Sequence, residues 1–472
     1  MAMHYVSTRG TAPRLDFADV LLAGLADDGG LYLPERWPVL APLDDLRDRP
    51  YAEVAAEVMW PFVEGAIDRA VFEAIVADAY AGFDTPEVCP VVDLGATASA
   101  APLSLLELYR GPTLAFKDVA LQLVGRLFDH VLTERGERIC ILGATSGDTG
   151  SAAIEACRDR DHVDIFMLFP EGRVSEVQRR QMTTVPASNV HAVAVEGNFD
   201  DCQDLVKAAF ADVGFRTEVR LSAVNSINWA RVMAQIVYYV TAHMAVAPDG
   251  GPVSFVVPTG NFGNILAGWA AKRMGLPVDR LVVASNRNDI LTRFFTTGTM
   301  EIRSVVPTTS PSMDIQVSSN LERLLFEVLG RDGASVADLM ARFRADGSVS
   351  VPVEVLDELA SEFDSGRLDD EAAAEVIRHT HDRLGMLIDP HTAVAVGVAE
   401  ATEGDPSVPV VALATAHPAK FPDAVEAATG VRPPLPEHLA DLFERPERIE
   451  RSVGELDAVE ALVRAGLAAR PA

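Results

Sequence analysis

The stretch ICILGATSGDTGSAAIEAC (residues 139–157) combines a short apolar run, a glycine-rich polar turn and a helix-like segment. Its first four residues are all apolar, which is typical of a strand that is buried on both faces of a parallel sheet. VSFVVPTGNFGNILAG (253–268) has the same order of strand, turn and helix. This repeated order predicts an open, doubly wound α/β fold.

Similar segments follow one another through the middle of the chain. Further apolar runs predict strands at 164–169, 190–195, 280–285 and 410–415. Amphipathic periodicity predicts helices at 118–133, 149–159, 200–211 and 263–274. Because ligands of open α/β sheets bind at the carboxyl ends of the strands, functional residues are expected in the turns that follow them.

The two ends of the chain and one internal region differ from this pattern. Residues 27–38 form a turn-rich phrase within a region that has few strand-like runs. Residues 301–378 are helical and charged, with predicted turns at 344–348 and 362–370. The predicted units are an N-terminal, mainly helical segment (1–92), the α/β core (93–300 plus 379–435), a helical insertion (301–378) and a C-terminal helical tail (436–472).

Composition limits the partners of the protein. Of 472 residues, 40 are basic and 69 are acidic, which gives a formal net charge of -29 and argues against nucleic acid or an anionic membrane as the main partner. An anionic substrate must therefore bind in a locally positive pocket. The four cysteines form no C-x-x-C pair, and neither a secretory signal nor an uninterrupted apolar span occurs. These features predict a cytoplasmic protein without a membrane segment.

One lysine has a sequence setting that suits covalent chemistry. GPTLAFKD (111–118) places Lys117 where a loop enters a helix, directly after three apolar residues. Apolar surroundings disfavour the ammonium form, so such a lysine can form a Schiff base with an aldehyde. The alternative is a surface lysine that pairs with Asp118 or extends from the first turn of the helix.

The two glycine-rich turns are candidate anion-binding sites. The turn at 145–150 gathers backbone N–H groups and hydroxyls at a helix N-terminus, where a carboxylate or phosphate can bind, although a plain helix cap is the alternative. The turn at 260–264 can wrap a terminal phosphate. It is neither G-x-G-x-x-G nor a Walker A loop, and the chain has no zinc-type H-E-x-x-H and no G-x-S-x-G motif. Taken together, one anion site suits the phosphate of a cofactor, the second suits the carboxylate of a substrate, and the lysine between them suits an aldehyde.

In this order, PTLAFKD (112–118), GATSGDTG (143–150) and PTGNFGN (258–264) resemble the fold type II enzymes that use pyridoxal 5'-phosphate (PLP). More narrowly, phrases along nearly the whole chain resemble the threonine synthase family of the longer bacterial and fungal type. These phrases are YVSTRG (5–10), DDGGLYLPE (27–35), FPEGRVSEVQRRQM (169–182), NSINWARV (225–232), SPSMDIQVSSNLERLLFE (310–327) and DPHTAV (389–394). The resemblance implies two doubly wound α/β lobes, with an N-terminal helical segment and a helical insertion. It also implies that the smaller lobe (133–215) is mobile and closes over the site.

The resemblance also implies roles for individual residues. Lys117 would be the Schiff-base lysine and general base, and Thr415 would face the pyridine nitrogen of PLP. Asp148 would lie close to the phenolic oxygen of the cofactor, where many relatives in the wider fold carry Asn. The cofactor phosphate would be held by Gly260, Asn261, Phe262, Gly263 and Asn264. The substrate carboxylate would be held by Thr145, Ser146, Gly147, Asp148 and Thr149, and candidates for the substrate phosphate are Asn228, Arg231 and Arg287.

The implied reaction converts O-phospho-L-homoserine and water to L-threonine and phosphate, in a monomer or homodimer. One alternative is a serine or threonine ammonia-lyase, or a phospholyase that stops at elimination. A second is a non-catalytic phosphate-binding protein, which the presence of Lys117 and of both anion sites opposes. The N-terminal phrase and SPSMDIQVSSN (310–320) favour the synthase.

Overall fold

The computed structural model describes residues 2–224 and 226–470. Met1, Asn225, Pro471 and Ala472 lie outside the described residues, and Asn225 belongs to the phrase NSINWARV. The strands are β1 (Tyr5–Ser7), β2 (Tyr32–Pro34), β3 (Val91–Ala96), β4 (Pro102–Glu107), β5 (Ile139–Ala144), β6 (Val163–Pro170), β7 (Val190–Val195), β8 (Leu221–Ser222), β9 (Val253–Pro258), β10 (Val278–Ser285), β11 (Thr299–Glu301), β12 (Ser348–Ser350), β13 (Phe363–Arg367), β14 (Val410–Ala414) and β15 (Glu450–Ser452).

The helices alternate with these strands through the centre of the chain. They are α1 (Phe17–Ala23), α2 (Leu43–Leu46), α3 (Tyr51–Val63), α4 (Arg69–Tyr80), α5 (Lys117–Arg135), α6 (Asp148–Cys157), α7 (Glu176–Thr183), α8 (Phe199–Ala211), α9 (Val213–Glu218), α10 (Trp229–Val246), α11 (Gly263–Arg273), α12 (Ile290–Thr297), α13 (Leu321–Val328), α14 (Gly333–Asp346), α15 (Val353–Glu362), α16 (Asp370–Leu384), α17 (Pro390–Ala401), α18 (Pro422–Thr429) and α19 (Leu456–Ala469). Three short 3₁₀ helices are η1 (Pro311–Met313), η2 (Pro418–Lys420) and η3 (Glu437–Leu439).

Two sheets form the framework. The larger has the order β13-β10-β9-β14-β4-β3 and is parallel except for β3, which pairs antiparallel with β4. The smaller has the order β15-β7-β6-β5-β8, and each of its pairs is parallel. Two strand pairs, β1-β2 and β11-β12, lie outside these sheets. The predicted α/β class with two lobes is confirmed.

Each central strand is covered on both faces, which explains its continuous apolar sequence. In β14, Val411 and Leu413 belong to the core that includes α5, α10 and α11, whereas Ala412 and Ala414 belong to the core with α16 and α17. In β6, all eight residues are buried. Parallel strands with helices on both faces have this character, because neither face meets water. The predicted strands and helices of the core are confirmed, with shifts of one to two residues at most ends.

The segments outside the core contain strands that the sequence pattern does not indicate. Residues 362–370, predicted as a turn, include β13, which pairs with β10 at the edge of the larger sheet. The C-terminal region, predicted to be helical, contributes β15 to the edge of the smaller sheet beside β7. The helical insertion and the C-terminal tail therefore contain short strands as well as helices. The sequence pattern does not indicate these strands, because short edge strands face solvent and tolerate charged and small residues. The division of the chain into units stays a prediction.

Hydrogen bonds from YVSTRG (5–10) attach the N-terminal segment to α13 and to DDGGLYLPE (27–35). The Thr8 hydroxyl donates to Glu322 Oε1 at 2.6 Å, and Arg9 Nη2 donates to Glu322 Oε2 at 2.9 Å. Ser7 Oγ donates to Asp28 Oδ1 at 2.7 Å, and a Cβ on Gly30 would lie 2.3 Å from Ser7 Oγ. The glycine in DDGG therefore leaves space for this contact. Among the described residues, we find no helix with both the length and the apolar character that crossing a membrane requires.

Candidate active site

Lys117 begins α5, and the loop before it is held against the carboxyl end of β14. The Phe116 backbone N–H donates to the Thr415 carbonyl at 2.9 Å, and the His417 N–H donates to the Leu114 carbonyl at 3.0 Å. Leu114 has φ 65, so the loop makes a left-handed turn just before the helix. Thr415 is 7% exposed, and its hydroxyl makes no hydrogen bond with the residues that the structure describes. The structure thus places the loop that leads into Lys117 beside Thr415.

The Lys117 amine is buried and faces α6 and η1. Its Nζ donates to Asp148 Oδ2 at 3.3 Å and to Ser312 Oγ at 3.4 Å, and the residue is 8% exposed. The alternative of a surface pair with Asp118 is wrong. Asp118 instead accepts from the Thr113 backbone N–H at 2.8 Å and from the Thr113 hydroxyl at 2.7 Å.

Burial and neighbouring charges set the proton affinity of the Lys117 amine. Burial is the largest influence and lowers the pKa of Lys117, while the Asp148 carboxylate acts in the opposite direction. The cations of Lys420 and Arg231 lower the pKa of Lys117 further. The net effect is a pKa below the ordinary value for lysine, which increases the fraction of neutral, nucleophilic amine.

The first glycine-rich turn connects β5 to α6 and is fixed by its own threonine. Thr145 Oγ1 accepts from the backbone N–H groups of Gly147 at 2.9 Å and of Gly150 at 2.8 Å. Gly147 has φ 140, and a Cβ there would lie 2.3 Å from Gln178 Cδ. Among the described residues, no acceptor was found for the backbone N–H groups of Ser146, Asp148 and Thr149. These donors are available at a helix N-terminus, which favours anion binding there over a plain cap.

The second turn connects β9 to α11 and leaves a run of backbone donors free. Phe262 has φ 62 and precedes α11 without a side-chain cap. Within the described part of the chain, no acceptor was found for the backbone N–H groups of residues 260–265. A Cβ on Gly260 would lie 2.8 Å from the Ser312 carbonyl oxygen, and Ser318 Oγ donates to the Gly260 carbonyl at 2.7 Å. Successive free N–H groups in such a turn form an anion-binding concavity.

Side chains beside this turn hold its shape. The Asn261 carbonyl accepts from Asn320 Nδ2 at 3.0 Å. Asn264 Oδ1 accepts from the hydroxyls of Tyr238 at 2.5 Å and of Tyr239 at 2.9 Å. Asn264 Nδ2 is buried and has no hydrogen-bond partner among residues 2–224 and 226–470. An unpaired buried donor is costly unless a ligand accepts from it, so this amide is a further point at which a phosphate oxygen fits.

The three candidates for binding the substrate phosphate have different surroundings. Arg231, in the first turn of α10, is 4% exposed, and its Nε and Nη1 have no hydrogen-bond partner in the described residues. Burial lowers the pKa of Arg231 to about 10. Asn228 caps α10, because its Oδ1 accepts from the Ala230 N–H at 3.0 Å and its Nδ2 donates to the Leu21 carbonyl at 2.8 Å. Arg287 is exposed in the turn after β10. Only Arg231 offers unused donors in a buried place.

Asp148 has a second cationic partner that the sequence prediction missed. Its Oδ1 lies 3.0 Å from the Nζ of Lys420, at the end of η2, and accepts from Gln178 Nε2 at 3.0 Å. Burial acts to raise the pKa of Asp148, but the charges of Lys117 and Lys420 outweigh it and hold this pKa well below the usual range. Asp148 is thus an ionised carboxylate between two lysines.

Lysine usage is the signal that could have identified Lys420. The chain contains 40 basic residues, but its lysines are confined to positions 117, 207, 272 and 420. Arg is the usual cation of this sequence, so each lysine is a candidate for a role that a guanidinium cannot fill.

Asp389 and His391, which the sequence prediction also missed, hold η1 in position. The Ser312 backbone N–H donates to His391 Nε2 at 3.2 Å, and His391 Nδ1 lies 2.6 Å from Asp389 Oδ2. Asp389 caps α17 through the N–H of Thr392 at 3.0 Å. The phrase DPHTAV therefore orients the turn that places the Ser312 hydroxyl between Lys117 and Asp148.

These features fit PLP. A buried amine with a lowered pKa suits its aldehyde, and the free N–H groups of 260–265 together with Asn264 Nδ2 suit its phosphate. The N–H groups at the start of α6 and the Arg231 guanidinium leave two further places for the anionic groups of a substrate. The fold and this site define a PLP-dependent enzyme of fold type II.

Comparison with known proteins agrees with this class and narrows it. Three family models match: "Threonine synthase N terminus" at residues 4–80, "Pyridoxal-phosphate dependent enzyme" at 89–345 and "Threonine synthase, C-terminal" at 392–463. The chain belongs to the threonine synthase family.

Individual relatives cover nearly the whole chain. A threonine synthase of Pseudomonas aeruginosa is 54% identical over 98% of both chains, and that of Saccharomyces cerevisiae is 41% identical over 90% of this chain and 88% of its own. The crystal structure of PLP-bound threonine synthase from Brucella melitensis has a TM-score of 0.94 and 53% identity, covering 98% of this chain and 99% of its own. The threonine synthase structure from yeast also has a TM-score of 0.94, at 37% identity and with 99% of each chain covered.

Proposed function

We propose that this protein catalyses, in the cytoplasm, the conversion of O-phospho-L-homoserine and water to L-threonine and phosphate, as a monomer or homodimer in threonine biosynthesis. The observation that carries the proposal is Arg231, a buried guanidinium whose Nε and Nη1 have no partner among the described residues. With the free N–H groups of the two turns, it provides three separate anion sites around Lys117. PLP and an amino acid without a phosphate would fill only two of them.

Different groups of the chain would bind the cofactor and the two anionic ends of the substrate. The turn at 260–264 and the Asn264 amide would hold the cofactor phosphate, and Asp148 would lie on the side of the phenolic oxygen. The neutral Thr415 hydroxyl would hydrogen-bond to the pyridine nitrogen without requiring that nitrogen to be protonated. The N–H groups of 146–149 hold the substrate carboxylate, and Arg231 holds its phosphate.

Lys117 moves the protons of the reaction. PLP, when bound, withdraws electrons from the substrate carbons and so makes protons at Cα and Cβ removable. As a free amine, Lys117 would take the proton from Cα and then the proton from Cβ, and phosphate would leave from Cγ with Arg231 balancing its charge. One of the two protons would then be delivered to Cγ, which becomes the methyl group of threonine. A water molecule would then add its hydroxyl group to Cβ while its second hydrogen is taken up with the released phosphate, and the other proton would return from Lys117 to Cα. Bulk water must be excluded until that step, which closure of the smaller lobe (133–215) over the site would achieve.

Gly260→Asp is expected to weaken PLP binding severely. A carboxylate among the N–H groups of this turn repels the cofactor phosphate, and its Cβ would meet the Ser312 carbonyl oxygen at 2.8 Å. A buried unpaired charge costs about 2 to 4 kcal/mol, on the order of 30- to 1,000-fold in affinity. Equilibrium dialysis against PLP measures the change. Gly82→Asp is the matched control, because a Cβ there would meet no atom within 4 Å. Unchanged affinity in the Gly260 variant would show that the phosphate binds elsewhere.

The products formed from O-phospho-L-homoserine test the function itself. We expect threonine and inorganic phosphate in equal amounts, with L-threonine as a control substrate that releases no ammonia. An ammonia-lyase or a phospholyase of the same fold would instead release 2-oxobutanoate and ammonia as main products. That outcome would contradict the proposed synthase function and would show that the protein is a lyase.

A further inference from the structure

Lys420 is a fully buried lysine next to the site. Its side chain is 0% exposed, and its Nζ donates to the Thr113 carbonyl at 2.8 Å and to Gln181 Oε1 at 3.1 Å. The same Nζ lies 3.0 Å from Asp148 Oδ1. Because its side chain has no exposed surface, Lys420 influences the reaction through its charge on the neighbouring groups Asp148 and Lys117.

The Asp148 carboxylate lies between the amino groups of Lys117 and Lys420, and Lys117 must lose its positive charge in order to react. Its Oδ2 accepts from Lys117 Nζ at 3.3 Å, while its Oδ1 faces Lys420. Lys117 can attack an aldehyde or remove a proton from carbon only as the neutral amine. If Lys117 were the only cation nearby, its deprotonation would leave a buried carboxylate without a counter-ion, and the carboxylate would hold the proton on Lys117.

We propose that Lys420 is a positioning residue that keeps Asp148 charge-balanced while Lys117 is uncharged, and thereby allows Lys117 to act as nucleophile and base near neutral pH. This inference rests on the proposed role of Lys117 and adds a second lysine to it. Because the hydrogen bonds to Thr113 and Gln181 fix the ammonium in place, Lys420 also fixes the carboxylate that faces Lys117.

The sign of the effect follows from the groups around Lys117. Those groups are Asp148 from α6, Lys420 from η2 and Arg231 from α10, with His391 from α17 acting on Asp148 and with Asp118 on α5 directed to Thr113. Besides burial, the charge of Lys420 lowers the pKa of Lys117, and that of Asp148 raises it. Loss of the Lys420 charge therefore raises the pKa of Lys117, and loss of the Asp148 charge lowers it.

The rate at which the full-length apoprotein captures PLP measures the neutral amine directly. In this step, the Lys117 nitrogen bonds to the aldehyde carbon, and the aldehyde oxygen leaves as water with the two protons of the amine. Borohydride reduction at timed intervals fixes the bound fraction across a pH range from about 6 to 10. Enzyme activity does not enter this measurement.

Lys420→Gln keeps a donor but removes the charge, and Lys420→Met is a second neutral variant close in shape to lysine. For both, we expect the capture profile to shift to higher pH by about one unit, which makes capture at pH 7 about tenfold slower. The double variant Lys420→Gln/Asp148→Asn is expected to shift back to lower pH. Lys207→Gln is the matched control, because Lys207 is 70% exposed.

Capture by the wild type at Lys117 tests the proposed role of Lys117 separately from that of Lys420, and capture at another lysine would show that the role of Lys117 is wrong. If the neutral Lys420 variants then give the wild-type profile, or if the double variant moves to still higher pH, the proposed role of Lys420 is wrong.

Discussion

Lys117→Ala is expected to abolish covalent attachment of PLP and to reduce turnover by a factor on the order of 10,000. The physical reason is that Lys117 supplies both the nucleophile for the aldehyde and the base for the substrate, and loss of a general base costs up to about that factor. The measurement is borohydride reduction followed by peptide mapping, together with the visible absorption of the purified protein.

The small number of lysines makes this test decisive. After the substitution, the remaining lysines are Lys207, Lys272 and Lys420. Lys207→Ala is the control and should retain attachment and activity, because Lys207 is 70% exposed and pairs only with Asp204 among the described residues. A reduced cofactor found on any of these three residues in the Lys117 variant, at the wild-type level, would contradict the account.

Arg231→Met is expected to change activity and stability in opposite directions. Removing a buried guanidinium that binds the substrate phosphate should lower kcat/KM for O-phospho-L-homoserine on the order of 100- to 1,000-fold. This corresponds to a loss of about 3 to 4 kcal/mol of transition-state stabilisation. In the free protein, the Nε and Nη1 of this group have no partner among the described residues. Methionine removes that desolvated charge, so the apoprotein should gain about 1 to 3 kcal/mol of unfolding free energy.

Arg323→Met is the matched control for this pair of measurements. The buried Arg323 guanidinium donates to the Tyr32 carbonyl at 2.8 Å, to the Ile227 carbonyl at 2.6 Å and to Asn320 Oδ1. Its loss leaves these acceptors unsatisfied and should destabilise the protein by about 3 to 5 kcal/mol in urea unfolding. Equal destabilisation of both variants would mean that Arg231 is structural and does not bind the substrate.

The parts of the site that the sequence predicts are local in the chain. Each glycine-rich turn joins a buried strand to a helix, so one continuous stretch specifies both its backbone and its position at the edge of the sheet. Gly147 and Phe262 show this, since φ values of 140 and 62 occur where the turns were expected. Lys117 was predicted for the same reason, because the apolar residues that bury it precede it directly.

The parts that the sequence does not predict depend on distant contacts. Lys420 meets Gln181 and Thr113, which are 239 and 307 positions away, and no local pattern links them. Asn228 is an example of the opposite kind. The sequence makes it a candidate for binding the substrate phosphate, but in the structure its side chain caps α10. The edge strand β13 carries Asp364, Ser365 and Gly366, whose composition is that of a turn. Its pairing with β10 comes from the tertiary structure.

The origin of the oxygen atoms in the products tests the central claim most directly. O-phospho-L-homoserine is converted by the holoenzyme in water labelled with heavy oxygen, and both products are analysed by mass spectrometry. Elimination from Cγ followed by water addition at Cβ predicts the label in the hydroxyl group of threonine and none in the released phosphate. Label in the phosphate, with homoserine as the other product, would mean that water attacks phosphorus and would contradict the account.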